Sequence, residues 1–327
     1  MEKAIDKVGS DGGGAPVGTK KKNHISLKQR NRMIFYVAVM ALPVIQVCIF
    51  YVYMHVNSIL LAFRDYDAVS SSFSWIGFEN FKDVFSLLFS ESFLSTTVLN
   101  SVILYLCTLF VGITFALVFS NYIYKKMAGA GLFKVVLFLP QIVSMVVMVI
   151  LFRYFVERAI PVIINEITGD VIGSLLTTES VNFWIVLGYT LLVGFGTQVL
   201  LYTGAMSGIS QEMVDAAKVD GFTPLKEFIY ITIPSIYNTL VTFIVVGIAA
   251  IATNQMNLYS FYGTGAPVNG QTLGYYLFMN IKTADESASP YTEYPYLSAF
   301  GVVLTVFVVP LTLIIRKLLE KFGPSNE

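Results

Sequence analysis

Charge is scarce in this chain. Only 13% of its 327 residues are Asp, Glu, Lys or Arg, where a soluble domain carries about 25%. Spread along most of the length, that shortage excludes a large soluble core and points to a membrane. Histidine and cysteine are nearly absent: His24, His55, Cys48 and Cys107 are the whole stock. They supply no His/Cys metal cluster, and both thiols sit in apolar runs, where such groups pack as small hydrophobes. The formal net charge is zero, so nothing points to nucleic acid. No G-x-x-x-x-G-K-[ST] run occurs, so this chain cannot cradle ATP in a phosphate loop. Acids lie in the polar stretches. That argues against an ion-coupled secondary transporter, which would place carboxylates inside its spans. An intramembrane enzyme would need a nucleophile–base or metal constellation in the apolar runs, and none is visible there.

What the chain has is six long apolar runs, at about 33–63, 96–123, 132–155, 182–203, 233–256 and 296–315. They lack strict alternation, so they predict helices rather than barrel strands, and an all-α integral membrane protein. The first would be about 46 Å long as helix, more than a bilayer core of ~30 Å. It is therefore expected to tilt, kink at Pro43 or project beyond the membrane. Residues 1–32 read as a disordered tail ending in a basic collar; the basic region and the apolar run behind it are too long for a cleaved signal peptide, and no A-x-A site follows. FRDYDAVSSSFSWIGFENFKDVF follows the first run and predicts an amphipathic interfacial helix near 78–89. The linker 157–180 holds a short apolar helix at 160–167, and 321–327 form a closing tail.

Six spans put both termini on one side. Sixteen of the 21 Lys and Arg residues lie on that side, leaving Arg64, Lys82, Arg153, Arg158 and Lys282 on the other. The termini and the central loop at 205–232 are therefore expected in the cytoplasm.

That loop and the first two residues of the fifth run hold DAAKVDGFTPLKEFIYITIP, residues 215–234. Ser210 is placed to cap a helix starting near Gln211. Val214, Ala217 and Val219 give it a partly apolar face, and Gly221 suits a left-handed end. Pro224 fits the first turn of a second short helix running through Phe228 and Ile231 toward Pro234. The residues alone leave two readings: a stiff knob made to be gripped, or an amphipathic connector lying on the inner leaflet.

The stretch resembles the coupling-loop signature of ABC importer permeases. Asp215, Ala216, Ala217, Asp220, Gly221, Phe228, Ile231 and Pro234 stand at its fixed positions, between the fourth and fifth runs. The family usually has glutamate at Asp215 and often alanine at Phe222. The resemblance covers roughly 33–320 and is closest to the carbohydrate branch, the maltose and oligosaccharide type. SILLAFRDYD, WIGFENFKDVF, KKMAGAGLFKVVLFLP, TGAPVNGQTLGYYLF and YLSAFGVVL are similar to that branch's segments, with Ala266 replacing a glycine. The resemblance implies a type I importer-like permease in a bacterial-type inner membrane. It implies a second homologous permease, two ABC ATPase subunits that hold ATP and magnesium, and an extracytoplasmic solute-binding protein. This chain would bind no cofactor itself. A non-transport scaffold would need no such signature.

A sugar path calls for amides and aromatics at membrane depth, because they bond hydroxyls and stack on rings. Gln198 in the fourth run and Thr253, Asn254, Gln255 and Asn257 at the end of the fifth are the candidates, with Tyr262 nearby. The competing reading is that these side chains hold helices together.

Overall fold

The computed structural model describes residues 27–90, 92–169, 173–287 and 290–324. The tail expected over residues 1–26 and the last residues, 325–327, lie outside that set.

Residues up to Val56 form a unit of their own. Helix α1 (Leu27–Val47) continues through a π-helical stretch, Cys48–Tyr53, into α2 (Met54–Leu61). It begins six residues ahead of the predicted start, so Lys28, Arg30 and Arg32 of the expected collar are helical. Its apolar side chains are exposed from Met33 through Tyr53. An apolar helix with no buried face needs an apolar solvent, which a bilayer supplies.

The second unit begins at Asn57. Strands β1 (Arg64–Asp67) and β2 (Ser72–Trp75) form an antiparallel hairpin that the apolar pattern did not predict. Asp67 builds its turn, accepting from the Val69 N–H at 2.9 Å and the Ser70 hydroxyl at 2.7 Å. Asn80 donates to Ala62 O at 3.1 Å and Arg64 O at 2.8 Å, which pins the first turn of α3 (Glu79–Ser90) under the hairpin. Helix α3 lies where an amphipathic helix was expected.

The second span is α4 (Ser92–Cys107), a π stretch at Thr108–Gly112, and α5 (Ile113–Tyr124). The third predicted run is not one helix. Helix α6 (Ala130–Ile142) and the helical run that starts with α7 (Met145–Tyr154) and ends with α8 (Ile160–Thr168) meet at 103°. Pro140 lies in the last turn of α6, and Val143 and Ser144 are extended, with ψ of 142° and 133°. Two contacts hold the break. Gln141 donates to Val193 O at 2.7 Å. Gly196 lies so near α6 that a Cβ there would sit 2.6 Å from Leu137 O.

Helix α9 (Asn182–Met206) is the fourth span. It is followed by α10 (Gln211–Val219), α11 (Pro224–Glu227), a π stretch at Phe228–Thr232, and α12 (Ile233–Ser235). A 69° bend leads into α13 (Tyr237–Ala250). The fifth span is thus shorter than predicted: it starts after Pro234 and ends at Ala250. Turns carry the chain to α14 (Leu258–Tyr262) and on to α15 (Leu273–Glu286), then α16 (Tyr294–Phe322) closes the fold. Helix α16 runs past the predicted 315 and takes in the first residues of the expected tail. Among the described residues, four helices are long and apolar enough to cross a membrane, or up to six if each bent pair is one span.

The π stretches at 155–159 and 228–232 each end two residues before a proline, Pro161 and Pro234. The proline ring presses on the carbonyl four residues back, and a widened turn there makes room for it.

Three buried clusters hold the unit together. One gathers Val149, Val186, Tyr189, Phe261 and Tyr275. A second joins Val84, Leu94, Ala299 and Phe300. The third packs Ala116, Val199, Tyr202, Met206 and Ile236, and it lies where α5, α9 and α13 meet. Gly196→Val forces α9 away from α6. We expect a loss of about 1–3 kcal/mol, read as a lower Tm of the detergent-solubilised protein. An unchanged Tm would show that the contact is loose.

Candidate functional site

The α10–α12 segment is a knob with a rigid end. The Phe222 N–H donates to Ala217 O at 2.9 Å and the Gly221 N–H to Lys218 O at 3.1 Å. Gly221 has φ +75°. This paired closure is a Schellman motif, and it fixes the angle between α10 and α11. Thr223 caps α11 by accepting from the Lys226 N–H at 3.3 Å, and Pro224 occupies its first turn.

Val214 and Ala217 face inward, as the pattern predicts. Two expectations need correction. Val219 is 88% exposed, because it sits on the far side of α10 from Val214. Ser210 occupies the N-cap position without a side-chain bond to the helix. Asp215, Ala216 and Asp220 are exposed, and Phe228 and Ile231 are half-buried. Phe228 joins the cluster formed by α5, α9 and α13. Pro234 does not open the fifth span: it ends the helical run before the bend. Met213, Val219, Leu225, Ile229 and Tyr230 leave an apolar surface on the knob.

The Asp215 carboxyl is held below its ordinary range by hydrogen bonds from Lys218, 2.9 Å away, and Gln211, 3.1 Å away. The Lys125 charge adds to this. Lys218 is pushed up in turn by Asp215. Asp215 therefore stays a carboxylate in any neutral environment. Glu227, buried at the end of α11, pairs with Lys125 at the end of α5. Sequence reading missed that pair. A lone acid just ahead of the aromatics Phe228 and Tyr230 was the available signal.

The predicted path residues divide. Gln198 and Asn254 line one cavity of about 260 Å³ between α4–α5, α9 and α13, together with Ser101, Tyr105 and Gly247. Gln198 Oε1 is buried without a hydrogen-bond partner among the described residues. Thr253, Gln255, Asn257 and Tyr262 do not line it. Asn257 and Met256 both have positive φ, 58° and 51°, and Asn257 leads into α14. Asn254 Oδ1 accepts from the Met256 N–H at 2.9 Å, and Asn254 O accepts from Thr272 Oγ1 at 2.8 Å. The Tyr262 hydroxyl donates to Leu176 O at 2.9 Å. Thr253 is exposed and Gln255 half-buried.

The cavity wall is made of segments distant in sequence. The Leu273 N–H donates to Ser101 Oγ at 2.8 Å, and Asn100 donates to Asn269 O and Gln271 O. Gly274 lets α15 touch the Thr253–Asn254 backbone, since a Cβ would meet Thr253 C at 2.4 Å. Ser101 and Tyr105 were not singled out from the sequence, because Ser and Tyr inside an apolar run read as packing.

A probable ABC transporter permease of Bacillus subtilis is 23% identical over 83% of this chain and 91% of its own length. A diacetylchitobiose uptake system permease of Streptomyces coelicolor is 25% identical, over 88% of this chain and 84% of its own. An arabinooligosaccharides transport system permease of Bacillus subtilis is 24% identical, over 85% and 86%. The crystal structure of a bacterial ABC transporter that imports alginate contains a chain with a TM-score of 0.72 and 18% identity, over 91% of this chain and 99% of that one. That likeness is one of fold. Residues 108–324, two thirds of the chain, match one family. The chain belongs to the binding-protein-dependent transport system inner membrane components.

Proposed function

We propose that this chain is one of two permease subunits of an ATP-driven importer for a sugar or oligosaccharide. Separate ABC ATPases, which hold ATP and magnesium, drive it, and an extracytoplasmic solute-binding protein feeds it. Its termini and the 205–232 loop face the cytoplasm. The observation that carries the reading is the knob: a glycine-closed pair of helices with an exposed apolar surface, anchored in the span core through Phe228. A mere connector needs neither a fixed angle nor an anchor. Asp215, Ala216, Ala217, Asp220, Gly221, Phe228, Ile231 and Pro234 make up the coupling element. Asp215, Ala216 and Asp220 meet the ATPase, while the rest hold shape. ATP binding draws two such knobs together, and the span bundles rock between inward-open and outward-open states.

The substrate class rests on the names of the relatives, which include diacetylchitobiose and arabinooligosaccharide permeases, and on the cavity. Gln198 and Asn254 put amides on its wall, which suits hydroxyl-rich solutes. Thr253, Gln255, Asn257 and Tyr262 serve the path by holding the turn beside it.

Purified from its native membrane, the chain should bring with it a second permease and an ABC ATPase. A lone functional homodimer would overturn the reading. Gly221→Pro cannot take φ +75°, because proline fixes φ near −65°. The variant should insert at the wild-type level and lose ATP-driven uptake, and normal uptake by a stably expressed variant would remove the knob from the mechanism. Gln198→Leu should lower uptake about tenfold with assembly unchanged, on the scale of one unmade hydrogen bond to solute. Asn254→Asp keeps the acceptor for the Met256 N–H, so it separates loss of the path from loss of the turn. Wild-type uptake kinetics for both variants would show the cavity to be structural.

A further inference from the structure

The knob has two covalent routes into the membrane. One passes through 207–210 to α9. The other passes the 69° bend into α13. A third, non-covalent route exists. The Lys125 ammonium at the end of α5 pairs with the carboxylate of Glu227, whose side chain is only 7% exposed. The two residues are 102 positions apart. Helix α5 is in turn bonded to α9, since the Ser120 hydroxyl donates to Val199 O at 3.0 Å. Helix α4, in the same span, carries the Ser101 and Tyr105 wall of the cavity. Ile123, Tyr124 and Phe228 join one cluster beside the pair.

We propose that Lys125 is a positioning residue for coupling: by pairing with Glu227 it locks the knob to the end of α5, so that knob and second span move as one body. The proposal rests on the coupling reading above. The pair suits the role because a carboxylate this buried cannot be left alone. Breaking the pair costs far more than breaking an exposed one, so the joint holds under load. No covalent path of comparable length joins the knob to α5.

The test uses the assembled transporter with its co-purified ATPase. Cys48 and Cys107 are replaced by serine, and spin labels are placed at Met127 and Leu225, both exposed. Distances are measured without nucleotide and with magnesium, ATP and vanadate. The Lys125-containing protein should show one narrow distribution with the same mean in both states. Lys125→Met should lose it. The reversed pair, Lys125→Glu with Glu227→Lys, should recover it, and solute transported per ATP hydrolysed should fall and recover in parallel. A narrow distribution in Lys125→Met, or a mean that shifts with nucleotide in the parent, overturns the joint. A separate label at Val219 reports the ATPase contact. If its mobility ignores the ATPase, the coupling reading fails and takes the joint with it. If it responds while Lys125→Met stays narrow, only the joint fails.

Discussion

A peptide N–H or C=O in hydrocarbon has no water to bond, so a chain at membrane depth must satisfy its backbone from within the protein. Much of this fold follows from that constraint. Where the chain stays helical, each segment meets it alone. Where the helix stops, another segment must help. At Val143–Ser144 the break is packed against α9, which accepts a side-chain bond from Gln141 and brings Gly196 against Leu137. At 251–257 the help comes from α15 and α4: Thr272 bonds Asn254 O, Asn254 bonds its own turn, and Ser101 takes the Leu273 N–H. The interruptions are therefore not loose. They are the points where distant parts of the chain are tied together.

The second of these ties makes one wall of the cavity. Ending α13 at Ala250 turns Asn254 toward Gln198, while Gly274 brings α15 in behind it. A continuous fifth helix would fill that space with its own turns. The short span and the cavity are one feature. At the other end of α13 the bend at Ile236 sets the α10–α12 segment off the span axis, where Phe228 packs with side chains of α5 and α9.

Much of this was legible in the sequence. Apolar run length gave the spans. Spaced aromatics gave α3, and glycine after a short helical pattern gave the left-handed closure at Gly221. Those are local signals, complete within about a dozen residues. The parts that were not legible depend on partners far away. Pro140 in an apolar helix reads as tolerable until Gly196 is seen beside Leu137. The hairpin at 64–75 is too short for a periodicity signal and is set by Asp67 and Asn80. Val219 was assigned to the inner face because it is apolar, yet its angular position on α10 opposes that. Of the path residues, only Gln198 and Asn254 share the cavity, since the predicted helix over 251–256 does not form.

The Lys125–Glu227 pair also has a meaning in time. The carboxylate is made 102 residues after the ammonium, with α6 to α10 between them. At about 5–20 residues per second, the lysine waits roughly 5–20 s for its partner during synthesis. The pair can close only after the broken third span and α9 have been made, so until α11 emerges the Lys125 ammonium is without this carboxylate.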